Sequence, residues 1–312
     1  MRMNELLFEN FEEKTLGDNI IEQLKNHLQQ HCQEIYRNFY KNSNIFLYHS
    51  PDYDSVVELK NSIYKIFKNK NRDLNTEEIP HYYHEKMDNY FEQKFGLRFR
   101  TQSLFTMPRS ALEKVHSNPI IFPHDGFQML SSINVKDPFF NIKQCYDSEF
   151  VKNTIGKLLK EYIDDITDDS IDFISSLTFN MLKRSSFFHS KNFPENIDNF
   201  IEELSGNIDR ITGIDLYQYD IPKLEFQKTL ESIVNHCDEY IEQLLSKYDL
   251  IKNKSQLKKH AISKNKENSS EIMLYADHYT MVRFDLLYNY VAEKLEKKKS
   301  KPTDVINYLY SY

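Results

Sequence analysis

The stretch RFRTQSLFT, residues 98–106, decides how the rest of the chain is read. Its side chains alternate in character: Phe99, Thr101 and Ser103 fall on one face of an extended segment, and Arg98, Arg100, Gln102 and Leu104 on the other. This pattern predicts a strand with an aromatic ring and two hydroxyls on the same side. Hydroxyls facing a core are there to hold something polar, whereas an edge strand turns them to water. The choice between the two depends on whether another part of the chain needs a hydrogen-bond partner.

On the N-terminal side, Thr76 can cap a helix over 76–95, with Ile79, Tyr83, Met87, Tyr90 and Phe91 inward and Gly96 as its stop. Further upstream, Ile20, Ile21, Leu24, Leu28, Cys32, Ile35, Tyr36 and Phe39 recur at helical spacing over 16–40. A short apolar strand, Ile45-Phe46-Leu47-Tyr48, follows and ends at His49-Ser50-Pro51. Residues 56–67 predict a second helix. On the C-terminal side, 107–110 turn into a short helix over 111–115, and 120–122 form a strand between Pro119 and Pro123. Asp125-Gly126 is a turn, and 127–132 a further strand.

The texture then changes. Helical patterns dominate 147–250, with helices expected over 150–162, 170–182, 197–204 and 224–248, followed by a polar linker over 252–268. Strand-like runs return at 271–276 and 279–282, and helices at 284–295 and 303–310. The economical topology joins 271–282 to the sheet begun at Ile45. The expected class is α+β, a split antiparallel β-sheet core with a large helical insertion or lobe. The expected organisation is an N-terminal helix over 1–44, a core of 45–140 with 269–312, and a helical lobe over 141–268.

Composition narrows the function. The 312 residues are 40% hydrophobic, a folding composition, and the net charge of −7 argues against non-specific binding to nucleic acid. Three cysteines, Cys32, Cys145 and Cys237, lie far apart with no CxxC spacing, which fits free thiols in a reducing compartment. No window approaches the roughly 18 apolar residues of a membrane span, and the first residues carry no signal peptide pattern. A soluble protein is expected, cytoplasmic or exported by a route without a cleaved signal. Six scattered glycines build neither GxGxxG nor a Walker loop, and HExxH and GxSxG are missing. His81, His84 and Glu85 stand at i, i+3 and i+4, but no third clear ligand lies nearby, so no metal is expected.

Three polar insertions into apolar strands remain, in chain order: His49 after IFLY, Thr101 with Ser103 in RFRTQSLF, and Glu271 heading EIMLYA. Each alone has a bland reading as a strand cap, an exposed hydroxyl or a surface acid. Their order resembles the ADP-ribosyltransferase superfamily, whose signature is a strand with Arg or His, a strand with a Ser-Thr-Ser-type motif, and a Glu opening a later strand. Tyr48-His49-Ser50 looks like the first element, 99–105 like the second with Thr101-Gln102-Ser103 in the motif, and Ser269-Ser270-Glu271 like the third. Residues 71–73, 121–123 and 131–137 are similar to a diverged phage and bacterial-effector branch. The resemblance covers roughly 45–137 and 269–284; the helical block lies outside it.

The resemblance implies NAD as co-substrate, no metal, and transfer of ADP-ribose to a side chain of a target protein, arginine favoured, by an effector or phage protein acting on a host enzyme. It implies Glu271 as the catalytic carboxylate, held by Ser103 and supported by Thr101, with Asp137 as a second carboxylate. His49, Tyr48 and Phe105 would contact the dinucleotide, and Arg72, Arg98 or Arg100 would neutralise its pyrophosphate. The chemistry explains the residue types: cleaving the nicotinamide–ribose bond develops an oxocarbenium-like cation, which a carboxylate stabilises in the transition state. Two departures bear on acceptor choice and binding: His49 lacks a following Gly, and Ser269 stands where arginine-directed members carry Glu or Gln. The alternative is a non-catalytic helical module that binds or inhibits another protein.

Overall fold

The computed structural model describes residues 11–49, 62–72, 81–110, 119–135, 138–146, 148–164, 166–184, 197–212, 221–261, 271–295 and 301–311. In chain order the elements are α1 (Phe11–His31), α2 (Gln33–Ile35), a π-helical turn (Tyr36–Tyr40), β1 (Ile45–Tyr48), β2 (Tyr64–Lys68), α3 (His81–Phe95), α4 (Phe99–Gln102), β3 (Leu104–Ser110), β4 (Ile120–Pro123) and β5 (Gln128–Ser131). They continue with α5 (Pro138–Tyr146), α6 (Glu149–Tyr162), α7 (Asp168–Arg184), α8 (Ile197–Thr212), α9 (Lys223–Leu245), β6 (Asp249–Leu250), α10 (Lys254–Ala261), β7 (Ile272–Tyr275), β8 (His278–Val282), α11 (Phe284–Lys294) and α12 (Pro302–Leu309). This is an α+β chain.

The chain forms two compact units. The sheet unit comprises 1–71, 102–136 and 249–312; the helical unit comprises 72–101 and 137–248. Composition placed boundaries at 44, 140 and 268, whereas the units change over at 71, 101, 136 and 248. Among the described residues, no helix is long and apolar enough to cross a membrane.

In the sheet unit eight strands pair in the order β2-β8-β4-β1-β3-β7-β5-β6, every pair antiparallel. The second group of strands, β7 and β8, thus joins the sheet begun at Ile45. All four residues of β1 are buried, as an unbroken apolar run at the middle of a covered sheet requires. The core joins Leu24 and Leu28 of α1 to Phe46, Phe122 and Leu274 of the strands and to Leu287 and Leu309 of α11 and α12. The Tyr40 hydroxyl donates to the Ile121 carbonyl at 2.7 Å and accepts from the Leu47 amide at 3.2 Å, which locks the π-helical turn onto β1 and β4.

Four expectations change. Residues 98–103 are not a strand: 99–102 form the one-turn helix α4, and β3 begins only at Leu104. The reason is Asp88 on α3. Its carboxylate accepts the Arg100 amide at 2.6 Å, the Thr101 amide at 3.3 Å and the Thr101 hydroxyl. An anion there satisfies the orphan N–H groups of a helical turn, which outweighs the local alternation. Second, β3 runs through 107–110 instead of turning there, even though it contains Pro108. Leu47 of β1 pairs with Pro108, whereas β7 pairs only with Leu104, Phe105 and Thr106. Among the described residues the missing amide therefore falls where β3 has β1 alone beside it, a position a strand tolerates.

Third, the helix expected over 56–67 ends in β2, whose Tyr64–Lys68 pair with Val282–His278 of β8; residues 50–61 lie outside the described part. Ladder pairing overrides the helical spacing of Ile63, Tyr64 and Phe67. Fourth, the linker expected from 252 contains α10, which buries Leu257 and His260 and is capped where the Asn253 side chain accepts the Gln256 amide at 3.0 Å. The short helix expected over 111–115 lies outside the described residues.

The helical unit packs by a different logic. Gly156 of α6 faces Ile171 of α7 so closely that a Cβ there would meet its side-chain atoms at 3.3 Å. The buried hydroxyls of Ser175 and Thr178 donate to the carbonyls of Ile171 and Ile174 one turn back. Asp238 of α9 accepts from the Tyr82 hydroxyl at 2.5 Å and pairs with Lys86 at 2.9 Å, tying α9 to α3. Cys145 and Cys237 are both buried, their sulfurs 2.8 Å apart.

Candidate functional site

The strands that carry the three sequence insertions are consecutive neighbours in the sheet: β1, β3, β7. Tyr48 pairs with Met107, and Thr106 pairs with Ile272. His49, one residue past β1, is therefore level with Thr106, and Glu271, one residue before β7, is level with Met107. Two strand spacings, about 9.5 Å, separate the backbones of β1 and β7 at this level.

The His49 ring is fixed by a 2.7 Å contact from Nδ1 to the Phe105 carbonyl. A carbonyl only accepts, so Nδ1 carries the proton and Nε2 is the other, basic nitrogen of the neutral ring. Glu271 is half-buried, and its carbonyl accepts the Ser131 hydroxyl of β5 at 2.6 Å. The next carbonyl, of Ile272, accepts the buried Thr106 hydroxyl at 3.2 Å. Two strand hydroxyls thus grip successive peptide units at the head of β7 and set the direction in which the Glu271 side chain leaves the sheet.

His260 of α10 completes this corner. Its Nδ1 lies 3.3 Å from Ser131 Oγ. Ser131 gives its one proton to the Glu271 carbonyl, so His260 Nδ1 must be the donor to Ser131. Burial lowers the His260 pKa.

Ser103 does not reach this corner. Leu104 pairs with Leu274, so Ser103 stands near the far end of β7, four residues along the ladder from the level of Glu271, or about 13 Å at ~3.3 Å per residue. Its side chain is buried and Oγ has no hydrogen-bond partner among the described residues. The hydroxyl that register places beside the carboxylate strand is that of Thr106, three residues later. Alternation alone could not show this, because α4 takes up the first residues of the stretch and the strand starts late.

Tyr48 is buried in the core at 2% exposure, and Phe105 is half-buried on β3. Thr101, Arg72, Arg98 and Arg100 belong to the helical unit. There Thr101 is held by Asp88, Arg98 lies 3.9 Å from the same carboxylate, Arg100 is buried, and the Arg72 amide donates to the Thr101 carbonyl at 2.8 Å. Burial pushes the Asp88 carboxyl up from the usual range, opposed by the Thr101 hydroxyl, the Arg100 and Thr101 amides and the Arg98 charge. Asp137 lies outside the described residues.

A second polar cluster of the sheet unit went unread in the sequence. The rings of His27 and His31 on α1 stand 4.9 Å apart, and His124, just past β4, lies 5.1 Å from His27 and 5.3 Å from His31. His278 of β8 is 5.3 Å from His124. Thr280 Oγ1 lies 2.9 Å from His27 Nε2 and 3.4 Å from His124 Nε2. Burial, then the neighbouring His31, lowers the His27 pKa; burial, then the rings of His27, His31 and His278, brings His124 down to about 4, with Asp125 opposing. The buried Cys32 thiol is pushed up to about 12, chiefly by desolvation. The sequence signal was the spacing of His27, His31 and Cys32, at i, i+4 and i+5. His84 and Glu85 of the other spacing read in the sequence differ in burial, His84 being buried and Glu85 exposed.

No protein-family model, curated protein or solved structure matches this chain.

Proposed function

We propose that the chain is a mono-ADP-ribosyltransferase that cleaves NAD and transfers ADP-ribose to a protein side chain, with arginine the favoured acceptor. The observation that supports this reading is the adjacency of β1, β3 and β7, with His49 and Glu271 one residue apart in the register of one sheet. Two of the three signature positions, His49 and Glu271, more than 200 residues apart in sequence, thus end at adjoining levels of one sheet, while Ser103 stands about 13 Å along it.

In this reading NAD is a substrate, bound only for turnover. The Glu271 carboxylate stabilises positive charge on the ribose as the bond to nicotinamide breaks and its electron pair leaves with the nicotinamide nitrogen. The acceptor nitrogen then bonds to the same ribose carbon and releases a proton. Thr106 and Ser131 are positioning residues: they hold the two successive peptide units on either side of Ile272 and so aim the carboxylate of the preceding Glu271. His49, oriented by Phe105, would accept a hydrogen bond from a ribose hydroxyl through Nε2.

The rival is a non-catalytic protein-binding module. It is favoured by one observation, that Thr101, Arg98 and the Arg100 backbone are engaged with Asp88 and so serve structure. The two readings separate in one experiment: purified protein is incubated with adenylate-labelled NAD and a cell lysate, wild type beside Glu271→Gln. Label on a discrete protein, reduced at least ~100-fold in the variant, supports the transferase. No labelling by the wild type, or equal labelling by a folded Glu271→Gln, overturns it.

A further inference from the structure

We propose that His27, Cys32 and His124 form a binding site for one zinc-class divalent transition-metal ion, through two imidazole nitrogens and a thiolate whose proton is released to solvent. This site is separate from the corner around Glu271 and does not depend on the transferase reading.

The donor atoms of these three residues all lie within 4.8 Å of one another, the one such group among the described residues. A tetrahedral zinc with bonds of about 2.0–2.3 Å needs ligand atoms roughly 3.3–3.7 Å apart, so closing the site asks for shifts of about 1 Å, within the reach of side-chain rotation. The ligands come from well-anchored elements. The Asp125 amide donates to the His31 carbonyl at 2.8 Å, the Asp125 carboxylate accepts the Glu34 amide at 2.7 Å, and the Glu34 carboxylate accepts the Gly126 amide at 2.9 Å. These three bonds clamp the end of α1 and the start of α2 to the turn after β4, which preorganises Cys32 against His124.

Two features favour a metal over an ordinary polar cluster. Four histidines crowd one place with ring centroids of neighbouring pairs no more than 5.3 Å apart, an arrangement in which two charged rings would repel each other. The Cys32 sulfur, fully buried, has only a long 3.8 Å contact to the Phe122 carbonyl beside its approach to Thr280. A mixed nitrogen–sulfur donor set selects zinc or cobalt over magnesium or calcium, which need oxygen ligands. Thr280 Oγ1 already bridges the two imidazoles, so the fourth position is left to that hydroxyl or to a water. His31, stacked on His124 at an interplanar angle of 13°, and His278 form the flanking layer that holds the ligand rings in place.

The test uses the untagged full chain, stripped with a chelator and titrated with Zn²⁺ and, as a spectroscopic probe, with Co²⁺. The expected result is one ion per chain and a cobalt spectrum with a thiolate charge-transfer band and the strong visible bands of four-coordinate cobalt. Cys32→Ser should remove the charge-transfer band, and Cys32→Ser and His124→Gln should each weaken zinc binding at least ~100-fold, beyond the 10–100-fold typical of groups that only support a ligand. His236→Gln, on α9, should bind as wild type. Melting curves without metal check that each variant folds; should Cys32→Ser not fold, the half-buried His27 supplies the variant His27→Gln. Absence of stoichiometric binding, a cobalt spectrum without the thiolate band, or unchanged binding in a folded His27→Gln or His124→Gln would overturn the proposal.

Discussion

The two units use their buried polar groups in opposite ways. In the helical unit Ser175 and Thr178 give their protons to their own helix one turn back, and Asp88 spends its oxygens on α4. In the sheet unit the polar groups reach across strands and helices: Thr106 to β7, Ser131 to the residue before β7, His27 to β8, His49 to β3. A hydroxyl that bonds its own helix closes a local circuit and leaves little for a ligand. A hydroxyl that bridges elements fixes one backbone against another, which is what an aimed carboxylate or a set of metal ligands needs. Both proposed sites, the corner at Glu271 and the cluster of His27, Cys32 and His124, lie in the sheet unit.

The largest expected effect lies in the sheet unit. Glu271→Gln should lower transfer of labelled ADP-ribose at least ~100-fold with an unchanged melting temperature. Glu149→Gln, on exposed α6, should leave transfer within a factor of about two. Equal losses in both would dissolve the contrast between units.

Next in size is the contact of Asp88 on α3 with α4 in the helical unit. Asp88→Ala removes the partner of two amides and a hydroxyl and should cost about 3 kcal/mol in urea unfolding, the range for breaking a buried, charge-assisted network. A cost below ~1 kcal/mol would mean that α4 forms without its cap. Smaller again is the exchange of roles between two hydroxyls. Thr106→Val should destabilise by about 1 kcal/mol and cut transfer roughly tenfold through misplacement of Glu271. Ser103→Ala, which removes a buried hydroxyl with no partner among the described residues, should leave transfer unchanged and hold or raise stability. The reverse ranking would restore Ser103 to the motif.

His260 gives a pH signature. Burial holds its folded pKa below the unfolded value of about 6.5, so its contribution to stability is present above that pH and is lost as pH falls toward and through the folded value. Wild-type stability should therefore fall more steeply on acidification below pH 6.5 than that of His260→Gln, measured by urea midpoints. The smallest effect is expected at Thr178: because its hydroxyl bonds only its own helix, Thr178→Val should change stability by no more than about 0.5 kcal/mol.

Much of the architecture was legible in local pattern. The helical spacing of Ile21, Leu24 and Leu28, the short apolar run of β1, the Asp125-Gly126 turn and the long helices of the helical block are set by side-chain periodicity, which each residue carries wherever it stands in the fold. The joining of β7 and β8 to the first strands followed from economy of topology. The site was legible only as the order of His49, the RFRTQSLF stretch and Glu271.

What the chain alone did not disclose depends on partners far away in sequence. Residues 99–102 alternate like a strand, yet the carboxylate of Asp88, supplied by another helix, makes them helical and delays β3 until Leu104. That delay puts the hydroxyl of Thr106, and not that of Ser103, at the head of β7 opposite Ile272, because strand register, and not motif spelling, determines which side chains are level. The cluster of His27, Cys32 and His124 likewise required α1, the end of β4 and β8 to meet. Periodicity belonged to the sequence; which hydroxyl, which imidazole and which thiol come within bonding distance was decided by the tertiary structure, because hydrogen bonds and metal coordination act over a few ångströms between residues that sequence separation keeps apart.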